Sequence, residues 1–153
     1  MSESDEVPEP ALPLTGGCCC ERVRFEVSAP LLGAAACYCK RCQRRTGTGF
    51  SVTALTLPGS FRITAGEELV RAYAPDDGWR KSFCSACGGH LFTSNPENEE
   101  LIAVRMGAID GEPGVRVGAH QFTRYAAPWA PPPDDGLPHF PERLGWSQVD
   151  TGA

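Results

Sequence analysis

No stretch of this sequence shows amphipathic periodicity of helical length, and no unit of it repeats. Both absences argue against a helical or repeat architecture. Positive charge is also in short supply. Lys and Arg number 14 against 19 Asp and Glu, for a net charge of -5, so the molecule as a whole is not built for nucleic acid or an acidic membrane surface. No targeting segment is visible. Residues 1–17 carry Glu3, Asp5, Glu6 and Glu9 and three prolines, with neither a basic cluster nor an apolar run. They fit neither a signal peptide nor a membrane anchor. An acidic, disordered tail over residues 1–13 is the expectation, and with it a cytoplasmic location and no membrane partner.

A length of 153 residues is enough for one core but not two. The hydrophobic fraction of 41% and charged fraction of 22% are ordinary for a globular chain. With Gly 17 and Pro 14, turn formers are plentiful, which favours many short strands over long helices. Residues 22–27 alternate, with Val23, Phe25 and Val27 on one face and Arg22, Arg24 and Glu26 on the other; this predicts a half-buried strand. Further strands are predicted at 50–57, 61–63, 69–73, 80–83, 90–93, 101–106 and 115–117. Turn signals such as Pro75-Asp76-Asp77-Gly78 and Asp110-Gly111 separate them. A single helical turn is expected at 40–45. The proline-rich segment 126–141 should wrap the surface in extended form, with Trp129 as a lid on the core and Phe50 and Phe92 inside it. The prediction is a mainly β, single small domain with metal sites at its loops.

Eight cysteines without an export signal point to metal rather than disulfides, because reducing compartments keep thiols free. They are spaced Cys18-x-Cys20, Cys37-x-Cys39-x-x-Cys42 and Cys84-x-x-Cys87. In extended chain a C-x-C pair projects both thiols from one face. A C-x-x-C turn aims both at one point, and the Gly88-Gly89 that follows Cys87 gives it room. Cys18, Cys20, Cys84 and Cys87 would close a tetrahedral structural zinc. Cys37, Cys39 and Cys42 would then hold a second zinc with its fourth position open, as catalytic sites do. Cys19, between two ligands, points the other way and is left unliganded. The alternative partition joins Cys39 and Cys42 to Cys84 and Cys87 as a zinc ribbon, leaving Cys18, Cys20 and Cys37 as a looser trio.

These groups, in their contexts, resemble a known family. Gly16-Gly17-Cys18-x-Cys20, Cys37-Tyr38-Cys39-x-x-Cys42 followed by Arg44, Thr46 and Gly47, and Phe83-Cys84-x-x-Cys87-Gly88 with Leu91-Phe92 are similar to the glutathione-dependent formaldehyde-activating (GFA) family, which includes the centromere protein V domain. Trp129 and Asp135-Gly136-Leu137-Pro138 extend the likeness, which covers roughly residues 14–143 and leaves 144–153 as a C-terminal tail. The resemblance implies packed, mixed β-sheets, a structural zinc on the outer four cysteines and a catalytic zinc on the middle three. It implies a carbon–sulfur lyase that adds glutathione to formaldehyde to give S-hydroxymethylglutathione. Glu21 departs from the pattern, standing where the family commonly has Gly, so different backbone dihedrals are expected there. Cys19 is an added thiol.

Lys40, Arg41, Arg44 and Arg45 surround Cys42. They read either as a basic collar that receives glutathione carboxylates or as a solvated turn. A nucleic-acid reading of the collar is weaker, since no aromatic stripe accompanies it. Tyr38, between two ligands, reads as pocket lining or as packing. His90, His120 and His139 are candidates for fourth ligand or general acid, against a structural default, and His90 should head a strand. A non-catalytic zinc module that binds a protein partner, or a glutathione carrier, is the alternative function.

Overall fold

The computed structural model describes residues 6–145. Part of the expected acidic tail (residues 1–5) and most of the expected C-terminal tail (residues 146–153) lie outside the described residues. The described chain is mainly β and falls into two compact units, each made of two separated stretches. Residues 6–32 and 54–114 form the first, and residues 33–53 and 115–145 the second. Among the described residues no helix is long and apolar enough to cross a membrane.

In the first unit β1 (Leu14–Gly17), β2 (Arg24–Val27) and β5 (Phe61–Ala65) pair antiparallel in the order β1-β2-β5. The predicted alternation holds: Val23, Phe25 and Val27 are at most 1% exposed. On the outer face Glu26 meets Arg62 at 2.8 Å, and Arg24 pairs with Asp110. A second antiparallel ribbon follows the order β9-β8-β7-β6. Its strands are β6 (Val70–Tyr73), β7 (Arg80–Cys84), β8 (His90–Asn95) and β9 (Asn98–Arg105). The Phe61 ring lies 5.3 Å from that of Phe25 and 4.7 Å from that of Phe92, so one aromatic chain runs through this unit's core. Gly16 is required where it stands, because a Cβ there would lie 2.4 Å from the Ala108 carbonyl oxygen.

In the second unit β3 (Gly33–Cys37) and β10 (Val117–Gln121) pair parallel, with Val117 opposite Ala34 and Gln121 opposite Cys37. The sheets are therefore mixed. β3 reads Gly-Ala-Ala-Ala-Cys, and its first four residues are all buried. Nothing in its composition favours a strand, so the sequence reading passed over it, as it did β1. Burial on both faces by neighbouring chain sets its conformation instead. The last strand also runs on to Gln121 instead of stopping at 117. α1 (Lys40–Thr46) replaces the single expected turn and ends at Gly47, whose φ of 68° is the left-handed helix stop. β4 (Ser51–Leu55) carries the chain from this unit back to the first.

The proline-rich segment does more than wrap. Residues 138–142 run beside β10: His120 donates its backbone N–H to the Pro138 carbonyl (2.9 Å), Phe140 donates to that of His120 (2.8 Å), and Phe122 to that of Glu142 (3.0 Å). Leu144 is buried with Ala35 and Ala119. Two apolar expectations are corrected. Trp129 is no lid, being 70% exposed on a turn closed by the Ala130 N–H on the Ala127 carbonyl. Phe50, just before β4, is 41% exposed, with one ring face covered by Tyr38 at 5.2 Å.

Candidate metal centres

In the first unit a tight turn follows β1. Cys18 and Val23 bond backbone to backbone (3.1 Å), and Glu21 donates its N–H to the Cys18 carbonyl (3.1 Å). The turn presents the Cys18 and Cys20 thiols together, with sulfurs 3.6 Å apart. At the β7–β8 turn Gly88 donates to the Cys84 carbonyl (2.7 Å) and adopts a φ of 77°, the conformation that Gly88-Gly89 leads one to expect. This brings Cys87 back beside Cys84. The Cys20 and Cys84 sulfurs are 3.9 Å apart across 64 positions of sequence. All four sulfurs lie within 4.8 Å of one another.

A tetrahedral ion with metal–sulfur bonds of about 2.3 Å requires sulfurs about 3.8 Å apart, close to the 3.6 Å and 3.9 Å separations here. Backbone donors already favour thiolate here. Val23 N–H lies 3.3 Å from the Cys18 sulfur and Gly89 N–H 3.4 Å from that of Cys87. The Cys87 thiol is held down to about 6, first by Gly89 and then by the Cys20 backbone. Cys18 and Cys84 are buried, whereas Cys20 and Cys87 face solvent. Cys19 is exposed and outside the group.

Glu21 takes a φ of 64°. The turn thus holds a residue other than glycine in the left-handed region that favours glycine. The left-handed conformation costs a residue with a Cβ on the order of 1 kcal/mol. Glu21→Gly is therefore expected to stabilise the protein by about that amount, read as a rise in the denaturant midpoint at unchanged slope. A fall in the midpoint would mean that the Glu21 side chain contributes more than its backbone costs.

In the second unit Cys37 ends β3, Cys39 is the N-cap of α1 and Cys42 lies one turn into the helix. Their sulfurs too lie within 4.8 Å of one another, and none is fully buried. The Cys39 sulfur accepts the Cys42 N–H at 3.3 Å. Hydrogen bonds with the Cys37 and Cys42 thiols lower the Cys39 pKa, and those with Cys39 and Cys42 raise that of Cys37. A metal bound by the trio would displace the remaining thiol protons.

Alternation in the extended Cys37–Cys39 segment turns Tyr38 the other way. It is 1% exposed, and its hydroxyl lies 3.2 Å from His120 Nδ1. The expectation that it lines a substrate pocket is corrected: Tyr38 is core. Of the predicted collar, Lys40 and Arg44 are exposed, while Arg41 and Arg45 are half-buried. Gln43, which the sequence did not single out, is buried on α1. It donates to the backbone carbonyls of Tyr38 (2.8 Å) and Tyr125 (2.9 Å), clamping the helix to the ligand-bearing segment. An uncharged polar residue four positions past Cys39, within a basic run, was the only signal for it. His90 does begin β8.

A model of the family described as glutathione-dependent formaldehyde-activating enzyme (GFA) matches residues 13–125, well over half the chain and all seven grouped cysteines. The chain belongs to this family. A crystal structure of a Rhodobacter sphaeroides protein has a similar fold, with a TM-score of 0.54 at 24% identity, covering 82% of this chain and 98% of that one. Within this GFA protein both thiol groups fall in the matched span, whereas Asp135 and His139 lie beyond it.

Proposed function

We propose that this protein is a zinc-dependent carbon–sulfur lyase of the GFA type, with one zinc on Cys18, Cys20, Cys84 and Cys87 and a second on Cys37, Cys39 and Cys42. The observation that carries the reading is the asymmetry of the two groups. Four thiols close a tetrahedron in one, while the other offers three, within a chain that belongs to the GFA family. A zinc on the trio would supply an open coordination position that lowers the pKa of an incoming thiol. Glutathione, or a related thiol, is the proposed occupant and formaldehyde its partner. Addition forms one C–S bond, the thiol proton passes to the carbonyl oxygen, and every atom of both reactants remains in S-hydroxymethylglutathione.

The chain's own part is binding and charge. Three thiolates over one Zn²⁺ leave a local charge of about -1, which Lys40, Arg41, Arg44 and Arg45 offset while offering partners for glutathione carboxylates. Lys40 and Arg44 are exposed on α1 and are the pair we assign to the incoming ligand. The same surplus of thiolate makes the metal a weak Lewis acid, and this favours a second reading, that of a glutathione carrier.

Glutathione titration of the cobalt-substituted protein tests the proposal. A saturable change in the thiolate charge-transfer bands is expected, weakened when Lys40 and Arg44 are both replaced by Ala. No change at millimolar glutathione would overturn glutathione as ligand. Formaldehyde consumption by the loaded protein then separates catalyst from carrier.

A further inference from the structure

The second unit holds a third convergence of ligating side chains, made without cysteine. His120 lies on β10, and Asp135 and His139 lie on the segment that returns beside that strand. A parallel bridge pairs His120 with His139 and sets their rings 4.8 Å apart, edge to face. Asp135 is placed by its own turn, where its Oδ1 accepts the Leu137 N–H at 3.1 Å. One nitrogen from each histidine and one carboxylate oxygen lie within 4.8 Å of one another.

The two halves of this cluster are not equally satisfied. His120 Nε2 is 2.8 Å from Asp135 Oδ2, a hydrogen bond. His139 Nε2 is 3.8 Å from Asp135 Oδ1. That is too far for a hydrogen bond and close to the ligand–ligand separation of about 3.4 Å in a tetrahedral site with bonds near 2.1 Å. Among the described residues no hydrogen bond reaches the His139 ring. His120 also has a hydrogen-bonding group behind it, since Tyr38 Oη is 3.2 Å from Nδ1. Metal-bound histidines characteristically engage their second nitrogen in this way. In the Nε2–H tautomer of His120, Asp135 accepts from Nε2–H and the Tyr38 hydroxyl donates to Nδ1. With metal on Nε2 the proton moves to Nδ1 and Tyr38 becomes the acceptor, so the network serves both states. The side chains of His139 and Asp135 are 37% and 32% exposed, so an ion can enter from solvent, while His120, at 5%, forms the floor.

We propose that His120, Asp135 and His139 form a third metal site, with two imidazoles and one carboxylate. Its ligand set suits a first-row divalent ion such as Zn²⁺, Co²⁺ or Ni²⁺. The site is independent of the thiol groups in its residues and in the chemistry of its donors.

Cobalt titration of the untagged full chain under reducing conditions tests this. Wild type is expected to bind one equivalent more than either His139→Ala or Asp135→Asn. The additional equivalent adds weak d–d absorption and no sulfur charge-transfer band, because it has no thiolate ligand. Removing a group behind a ligand costs 10–100-fold in metal affinity, so removing a ligand itself should weaken that equivalent by about 100-fold or more. The charge-transfer bands of the thiol sites, unchanged in both variants, report that the variants are folded. Equal stoichiometry in wild type and variants would overturn the proposal. So would a sulfur-free equivalent that survives either substitution.

Discussion

Cys84→Ser is expected to unfold the protein. Cys84 has no exposed surface, sits at the end of β7 and is one of four sulfurs joining the Cys18–Glu21 turn to the β7–β8 turn. Binding of a structural zinc by four such ligands is worth about 10–16 kcal/mol in small zinc domains. The net stability of a domain this size is about 5–15 kcal/mol. Most of the metal's contribution goes with one ligand, and a buried hydroxyl takes the place of a thiolate, so the remaining contacts do not suffice. The measurement is far-UV circular dichroism and bound zinc on the purified variant, alongside wild type stripped with a chelator. Loss of structure in both, restored by zinc only in wild type, is the expected result. A folded, metal-free Cys84→Ser protein would show that the four-thiol group does not hold the first unit together.

Cys39→Ser should behave differently, and the reason is local. Cys39 is both a proposed ligand and the N-cap of α1, with its sulfur accepting the Cys42 N–H. Serine is among the best N-cap residues, so its oxygen can take over that bond and keep a contribution of about 1 kcal/mol. Gln43 still clamps the helix to the Tyr38 and Tyr125 carbonyls. The fold should therefore survive, while the trio loses one of its three thiols. Expected are loss of one zinc, abolition of the glutathione response in the cobalt protein and a circular dichroism spectrum like that of wild type. If Cys39→Ser and Cys84→Ser collapse alike, both metals are structural and the open-site reading fails.

The contrast between the two variants follows from how each site is assembled. The trio comes from six consecutive positions, with cap, turn and ligand spacing all local, so its geometry is close to a property of the segment. The four-thiol site comes from two turns whose encounter depends on the first unit folding, so binding of the proposed metal there would be coupled to folding.

That difference also marks how far the sequence could be read. Three spaced cysteine groups are legible because thiolates must leave the chain from one face or one turn to meet at an ion, and this fixes their spacing in any fold. The β2 alternation was legible for a similar reason, since a strand with one buried face must repeat with period two. β3 was not, because three alanines carry no strand preference and their conformation comes from burial on both faces. Two aromatic residues defeated the reading in the same way. Trp129, on a turn, and Phe50, just before β4, are exposed, and their apolar character alone could not show it. The Glu21 backbone conformation was likewise imposed, held by the Cys18 turn against the preference of the residue.

By itself, then, the sequence determined the mainly β class, the family and the identity of the seven grouped thiols, all of which depend on local spacing and composition. Only the tertiary structure decided that Tyr38 faces inward to His120, that Gln43 clamps α1, and that His120 meets Asp135 and His139. The first two depend on where β3 and β10 bring Tyr38, His120 and Tyr125, and the third on the segment returning beside β10; packing and backbone hydrogen bonds set these pairings rather than any pattern along the chain.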